Sequence, residues 1–114
     1  MTPDLKELVT LDRTIHEPAR LMVMTVLYAV TQADFLYLQR QSGLTQGNLS
    51  SHLLKLEDAK YVLIEKTFKG KYPLTICSLT RKGREAFEEY LRKMSTVSNA
   101  AENGDQHPKR VRRK

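Results

Sequence analysis

Between Thr45 and Lys55 the chain reads TQGNLSSHLLK, and the groups there that can do chemistry are amides, hydroxyls, one imidazole and one ammonium. Gln46 and Asn48 carry paired donors and acceptors, Ser50 and Ser51 carry single hydroxyls, and Gly47 has no side chain. This is the chemistry of binding: amides match the edges of nucleic-acid bases, while hydroxyls, Lys55 and free amides at a helix start match phosphate. Catalysis finds no comparable set. His16, His52 and His107 have no partner at a spacing that makes a general base or a metal site, and no Gly-rich phosphate loop follows a strand. Carboxylates are scattered over wet helix faces. Cys77 is the one cysteine, and it falls in a strand pattern, so it reads as a buried inert thiol. No enzyme activity, cofactor or metal is therefore expected.

The residues around this stretch predict how it is held. Gly43 suits the positive-φ residue that ends one helix, and Thr45 suits the cap of the next, predicted over 45–60. Leu49, Leu53 and Leu56 recur at three- and four-residue spacing, with Leu44 leading in, and form the inward stripe. Gln46, Gly47, Asn48, Ser51, His52 and Lys55 are left on other faces. Leu36 to Ser42 predicts a preceding helix of about two turns, with Leu36 and Leu38 in the core. Two short helices with so brief a turn cross steeply, in helix-turn-helix geometry. Entry of the second helix into a major groove requires low bulk and polar groups in its first turns. For His52, a hydrogen bond that fixes the helix and a DNA contact are both open.

Other stretches supply the frame. Pro18 to Val30 is apolar nearly all round and predicts the central support helix, with His16 just before it in a capping or packing role. A short strand is expected around Phe35. After Lys60 the pattern alternates: Val62 to Leu79 predicts an antiparallel hairpin in which Val62 faces Leu79 and Ile64 faces Cys77. The hairpin turns through Lys69, Gly70, Lys71 and Tyr72, a basic tip suited to a phosphate backbone or a minor groove. Thr80 caps a last helix whose stripe is Ala86, Phe87, Tyr90, Leu91, Met94 and Val97, with Glu88–Arg92 and Glu89–Lys93 pairs outside. Gly83 in its first turn points to close packing. At the other end, Thr2, Pro3 and Asp4 start a short amphipathic helix through Leu5, Leu8, Val9 and Leu11 to about Asp12.

Length and charge bound the rest. The 114 residues suffice for one small domain, expected over 1–97, with a disordered basic tail over 98–114. The net charge is +6, and half of it sits in that tail. No apolar run is long enough for a bilayer and no signal peptide is evident, so a soluble cytoplasmic protein is expected, with no membrane partner. Leu5, Leu8, Val9, Leu11, Tyr90, Leu91 and Met94 exceed what so small a domain can bury alone, which predicts a homodimer.

The predicted order gives a mainly α chain with a small β-hairpin wing, helices flanking a two- to three-stranded antiparallel sheet. The sequence resembles the small winged helix-turn-helix regulators of bacteria and archaea of the MarR and ArsR types. The match is carried by Ile15–Leu21 (IHEPARL), Leu44–Leu53 (LTQGNLSSHL), Lys55-Leu56-Glu57, Glu65–Phe68, Leu79-Thr80 and Gly83-Arg84. The resemblance implies a homodimeric DNA-binding regulator with dimer contacts from the first and last helices. It carries Thr45–Lys55 over as the groove-reading segment and Lys69–Tyr72 as the wing tip. Three positions depart from it: Lys60 replaces a glycine, Leu54 replaces a position often basic, and the metal-sensing cysteine pairs are missing. A second function, protein–protein interaction through Leu63, Leu74 and Ile76 together with Leu54, is the alternative. The operator, the regulated genes, the direction of regulation and any small-molecule effector are not written in these residues.

Overall fold

The computed structural model describes residues 4–104. Thr2 and Pro3, expected to open the first helix, and the basic tail from Asp105, including His107 and Lys109 to Lys114, lie outside them. The short amphipathic helix expected to about Asp12 is a 3-10 helix, Leu5–Thr10. Asp4 caps it by accepting from the Lys6 amide. A run of six residues is too short to sustain α-helical hydrogen bonding by itself, and the tighter turn satisfies its ends sooner.

Helix α1 (Pro18–Val30) begins as the sequence dictates, with Pro18 at its first position and the Glu17 side chain accepting from the Arg20 amide at 2.9 Å. Val23, Met24 and Leu27 are fully buried in the centre of the domain. Strand β1 (Gln32–Asp34) follows, and helix α2 (Phe35–Ser42) starts at the residue expected to sit within the strand. Asp34 decides the boundary: its carboxylate accepts from the Tyr37 amide at 2.8 Å and caps α2. Phe35 and Leu38 then share the inward face. Leu36, expected in the core, lies about 100° round the helix from Phe35 and is 57% exposed.

Helix α3 (Gln46–Asp58) is capped by Thr45 and preceded by Gly43 at φ 69°, and Leu49, Leu53 and Leu56 are buried, as the spacing predicts. It ends in a Schellman turn: the Tyr61 amide donates to the Leu56 carbonyl at 3.0 Å and the Lys60 amide to Glu57 at 2.9 Å. The turn forces Lys60 to φ 69°, so the missing glycine leaves a lysine in the left-handed region. Strands β2 (Val62–Lys69) and β3 (Tyr72–Leu79) pair with Val62 opposite Leu79 and Ile64 opposite Cys77, the predicted register. The sheet has three antiparallel strands in the order β1-β3-β2, so β1 closes the far edge of the wing's base.

Helix α4 (Arg81–Glu102) runs five residues past the expected end at Val97, taking in the first part of the supposed tail. Ala100 and Ala101 are strong helix formers and outweigh Ser98 and Asn99. Gly83 has its predicted reason, since a Cβ there would stand 2.2 Å from the Tyr61 carbonyl oxygen. The expected Glu88–Arg92 and Glu89–Lys93 pairs are replaced. Glu88 accepts from the Tyr28 hydroxyl, Arg92 bridges Glu89 and Glu7, and Lys93 donates to Thr10. These contacts tie the 3-10 helix along the outer half of α4. Tyr90, an expected dimer residue, is only 2% exposed; its hydroxyl bonds His16 Nδ1 at 2.7 Å and its ring stacks on Phe87. It belongs to the chain's own core, and His16 has the packing role expected of it. Leu5, Val9, Leu91 and Val97 stay exposed, while Leu11 and Met94 pack partly against the core.

Candidate nucleic-acid interface

The leucine stripe of α3 sets where its polar residues point. With Leu49, Leu53 and Leu56 turned inward, Gly47, Asn48, Ser51, Leu54 and Lys55 fall on the exposed side. Thr45 and Gln46 are exposed at the head of the helix. Thr45 Oγ1 accepts from the Asn48 amide at 3.1 Å and the Thr45 carbonyl from Leu49 at 3.0 Å. The Gln46 and Gly47 amides have no helical residue four back, so the first turn presents two N–H groups and the positive end of the dipole. Nothing within 4 Å of Gly47 would meet a Cβ, and its φ is not positive.

Gln46 and Ser50 turn toward the wing. They line a groove of about 500 Å³ with Phe35, Leu54, Lys66 and Pro73. Recognition helix and wing therefore flank one concave face. The wing's turn is two residues long, with Gly70 at φ 63°, and Lys69, Gly70, Lys71 and Tyr72 are all exposed at its end. The wing carries Lys66 and Lys69 on its first strand and Lys71 in its turn, and the only acid from Val62 to Leu79 is Glu65, near the base. The face offers amides and hydroxyls in the middle and ammonium groups at the side.

His52 is on the opposite flank of α3 and half-buried. Arg20 Nη1 donates to its Nδ1 at 3.1 Å, and Glu17 Oε1 is 3.7 Å from the same atom. Arginine only donates, so Nδ1 is the acceptor and the proton of the neutral ring sits on Nε2. The Arg20 amide holds the Glu17 carboxyl below the usual carboxylate range. Arg20 is itself anchored, its Nε donating to the Thr14 carbonyl at 2.6 Å. This ties the recognition helix to the start of α1 and leaves only Nε2 for another partner. Glu17 and Arg20 were not singled out from the sequence, because 32 residues separate Arg20 from His52 and no local spacing signals such a contact.

Burial pushes the Cys77 thiol up to about 11, as an inert core cysteine requires. Among the described residues no group of three or more His, Cys, Asp or Glu side chains could hold a metal, and no helix is long and apolar enough to cross a membrane. Leu54 lines the groove with Ile64, whereas Leu63 lines a separate hollow with Glu57 and Asp58. Leu74 lines that groove together with Leu54, while Leu63 and Ile76 alternate onto the outer sheet face, so two of the four residues considered from the sequence as one patch meet and the other two lie elsewhere.

Known proteins match this arrangement. The winged helix DNA-binding domain model matches residues 19–97. An uncharacterised protein of Methanocaldococcus jannaschii is 37% identical over 91 residues, covering 79% of this chain and 98% of that protein. Among solved structures, a transcriptional regulator homologue from Pyrococcus horikoshii OT3 superposes with a TM-score of 0.78 at 27% identity, over 85% of this chain and 96% of the other. A MarR-family regulator from Silicibacter pomeroyi shares the fold at a TM-score of 0.60 and 18% identity, over 87% and 64% of the two chains. Helix-turn-helix, three-stranded sheet and wing thus agree with family model and structural neighbours alike, and the chain belongs to the winged helix DNA-binding domain family.

Proposed function

We propose that the protein is a cytoplasmic, sequence-specific transcription regulator that acts as a homodimer on an inverted repeat, by binding and with no chemical step of its own. The observation that carries this reading is the exposed side of α3, where Gly47, Asn48 and Ser51 are small or polar, beside a lysine-bearing wing. Gln46, Asn48 and Ser51 contact base edges, while Thr45, Ser50 and Lys55 lie nearer phosphates. His52 contributes through Nε2 or holds the helix in place through Nδ1. Lys69, Gly70, Lys71 and Tyr72 track the adjoining backbone.

Exposed Leu5, Val9 and Leu91, with half-buried Leu8 and Met94 beside them, run along the 3-10 helix and the outer half of α4, away from α3. An apolar surface of this kind on a small chain supports pairing with a second copy. A two-fold pair presents its recognition helices to half-sites one turn of duplex apart, about 34–36 Å. Selection from a random duplex pool by the purified protein, with sedimentation of the protein alone, tests the reading. Enrichment of an inverted repeat by a two-chain species is expected. A monomer at micromolar concentration refutes the dimer, and a pool without enrichment refutes specific binding.

A further inference from the structure

We propose that Phe68 and Pro73 at the wing tip form a wedge that enters the minor groove and parts a base step, so that the protein bends its DNA. The inference rests on the DNA-binding reading above and adds a residue pair and a deformation to it.

Phe68 is 70% exposed and lies outside the core cluster and the residues packed on it. A large apolar side chain held in water at the end of a stiff ribbon has no folding role there. Its cross-strand partner is Pro73, so the two apolar groups share one face of the tip. That face can be assigned. Partners at Ile64–Cys77, Lys66–Thr75 and Phe68–Pro73 alternate onto one side, the side that carries the groove lined by Gln46, Ser50, Lys66 and Pro73. Phe68 therefore projects on the same side of the sheet as the head of the recognition helix. Lys69 and Tyr72 pair on the other side, Tyr72 being 77% exposed.

Chemistry selects the occupant. From Lys66 to Pro73 the tip holds three lysines and no acid, and the two-residue turn keeps it thin. A protein partner matched to Phe68 and Pro73 alone would not need that charge, whereas a duplex entered from its minor groove uses both features. Apolar side chains flanked by cations are the means by which proteins unstack base steps from the minor groove. Pyrimidine–purine steps part most readily, so the wedge favours such a step beside each half-site.

The test uses a duplex containing the selected site, with a donor and an acceptor dye at its ends and 2-aminopurine at the step flanking the half-site. Wild-type protein is expected to shorten the end-to-end distance by a bend of roughly 20–90° and to raise the 2-aminopurine emission. Phe68→Ala should lose both signals and keep the salt slope of binding, because the side chain carries no charge. Phe68→Leu keeps a wedge and should retain the bend. Equal bending by wild type and Phe68→Ala overturns the proposal, as does an unbent wild-type complex. So does a Phe68→Ala effect on sedimentation without one on bending, which would place a second copy over the tip. Failure of the wild type to bind any duplex is a different result: it refutes the DNA-binding reading itself, and the wedge falls with it.

Discussion

Replacing Gly47 by alanine separates a binding surface from a merely wet one, because fold and function respond with opposite signs. Glycine in a helix needs a reason, since it costs stability relative to alanine. Gly83 has one in the Tyr61 carbonyl against its Cα, but Gly47 has helical φ and nothing within 4 Å of a Cβ. Gly47→Ala should therefore stabilise the fold by about 0.5–1 kcal/mol and raise Tm by roughly 2–8 °C. If α3 lies in a major groove, the added methyl stands where duplex and backbone come closest, with no space left for it in the complex. Overpacking of about 1–3 kcal/mol then lowers affinity roughly 5- to 150-fold. Thermal unfolding monitored by circular dichroism and fluorescence anisotropy on the selected duplex read the two effects from one preparation. A more stable variant that binds as tightly as wild type would refute the close approach of Gly47 to DNA, and a less stable one would refute the packing described for α3.

Gly83→Ala goes the other way. Its Cβ would meet the Tyr61 oxygen at 2.2 Å and Leu79 Cδ1 at 2.9 Å, so chemical denaturation should show a loss of about 2–4 kcal/mol. Lys60→Gly relieves the positive φ at the exit of α3 and should raise stability by about 1 kcal/mol in the same assay. Tyr61 supplies a pH signature. Burial, then the hydrogen bond to Asp12, lifts its phenol from about 10 to about 12. A raised folded-state value favours the neutral form, so its contribution is complete below pH 10 and is lost as pH climbs toward 12. The stability difference between wild type and Tyr61→Phe should accordingly be level up to pH 10 and shrink above it; a difference that grows there contradicts the assignment.

The parts of the fold that were legible in the sequence are those set by neighbours along the chain. Thr45 and Gly43 mark a cap and a left-handed stop by residue type alone, and the alternation from Val62 to Leu79 around a two-residue turn leaves one register that buries Ile64 and Cys77 together. What was illegible depends on partners far away or on small local balances. Asp34 reads equally as a turn residue or a cap, and its choice of cap moved the strand back from Phe35 and turned Leu36 outward. The tether from His52 to Arg20 and Glu17 exists only once α1 and α3 cross. Tyr90 reads in sequence as part of an apolar stripe shared with Leu91 and Met94 and available to a second subunit, yet the His16 ring and Phe87 claim it for the chain's own interior. For the candidate interface, the polar residues of α3 could be named in advance, but the groove that joins Gln46 and Ser50 to Lys66 and Pro73 could not.

The most direct test of the account is duplex affinity measured across a range of salt concentrations for the wild type and for Lys69→Ala combined with Lys71→Ala. Counterion release from phosphates gripped by α3 and the wing predicts steeply weakening binding by the wild type, and a slope smaller by roughly one to two in the double variant. Identical slopes would take the wing off the DNA, and binding indifferent to salt would contradict the placement of this surface against a duplex.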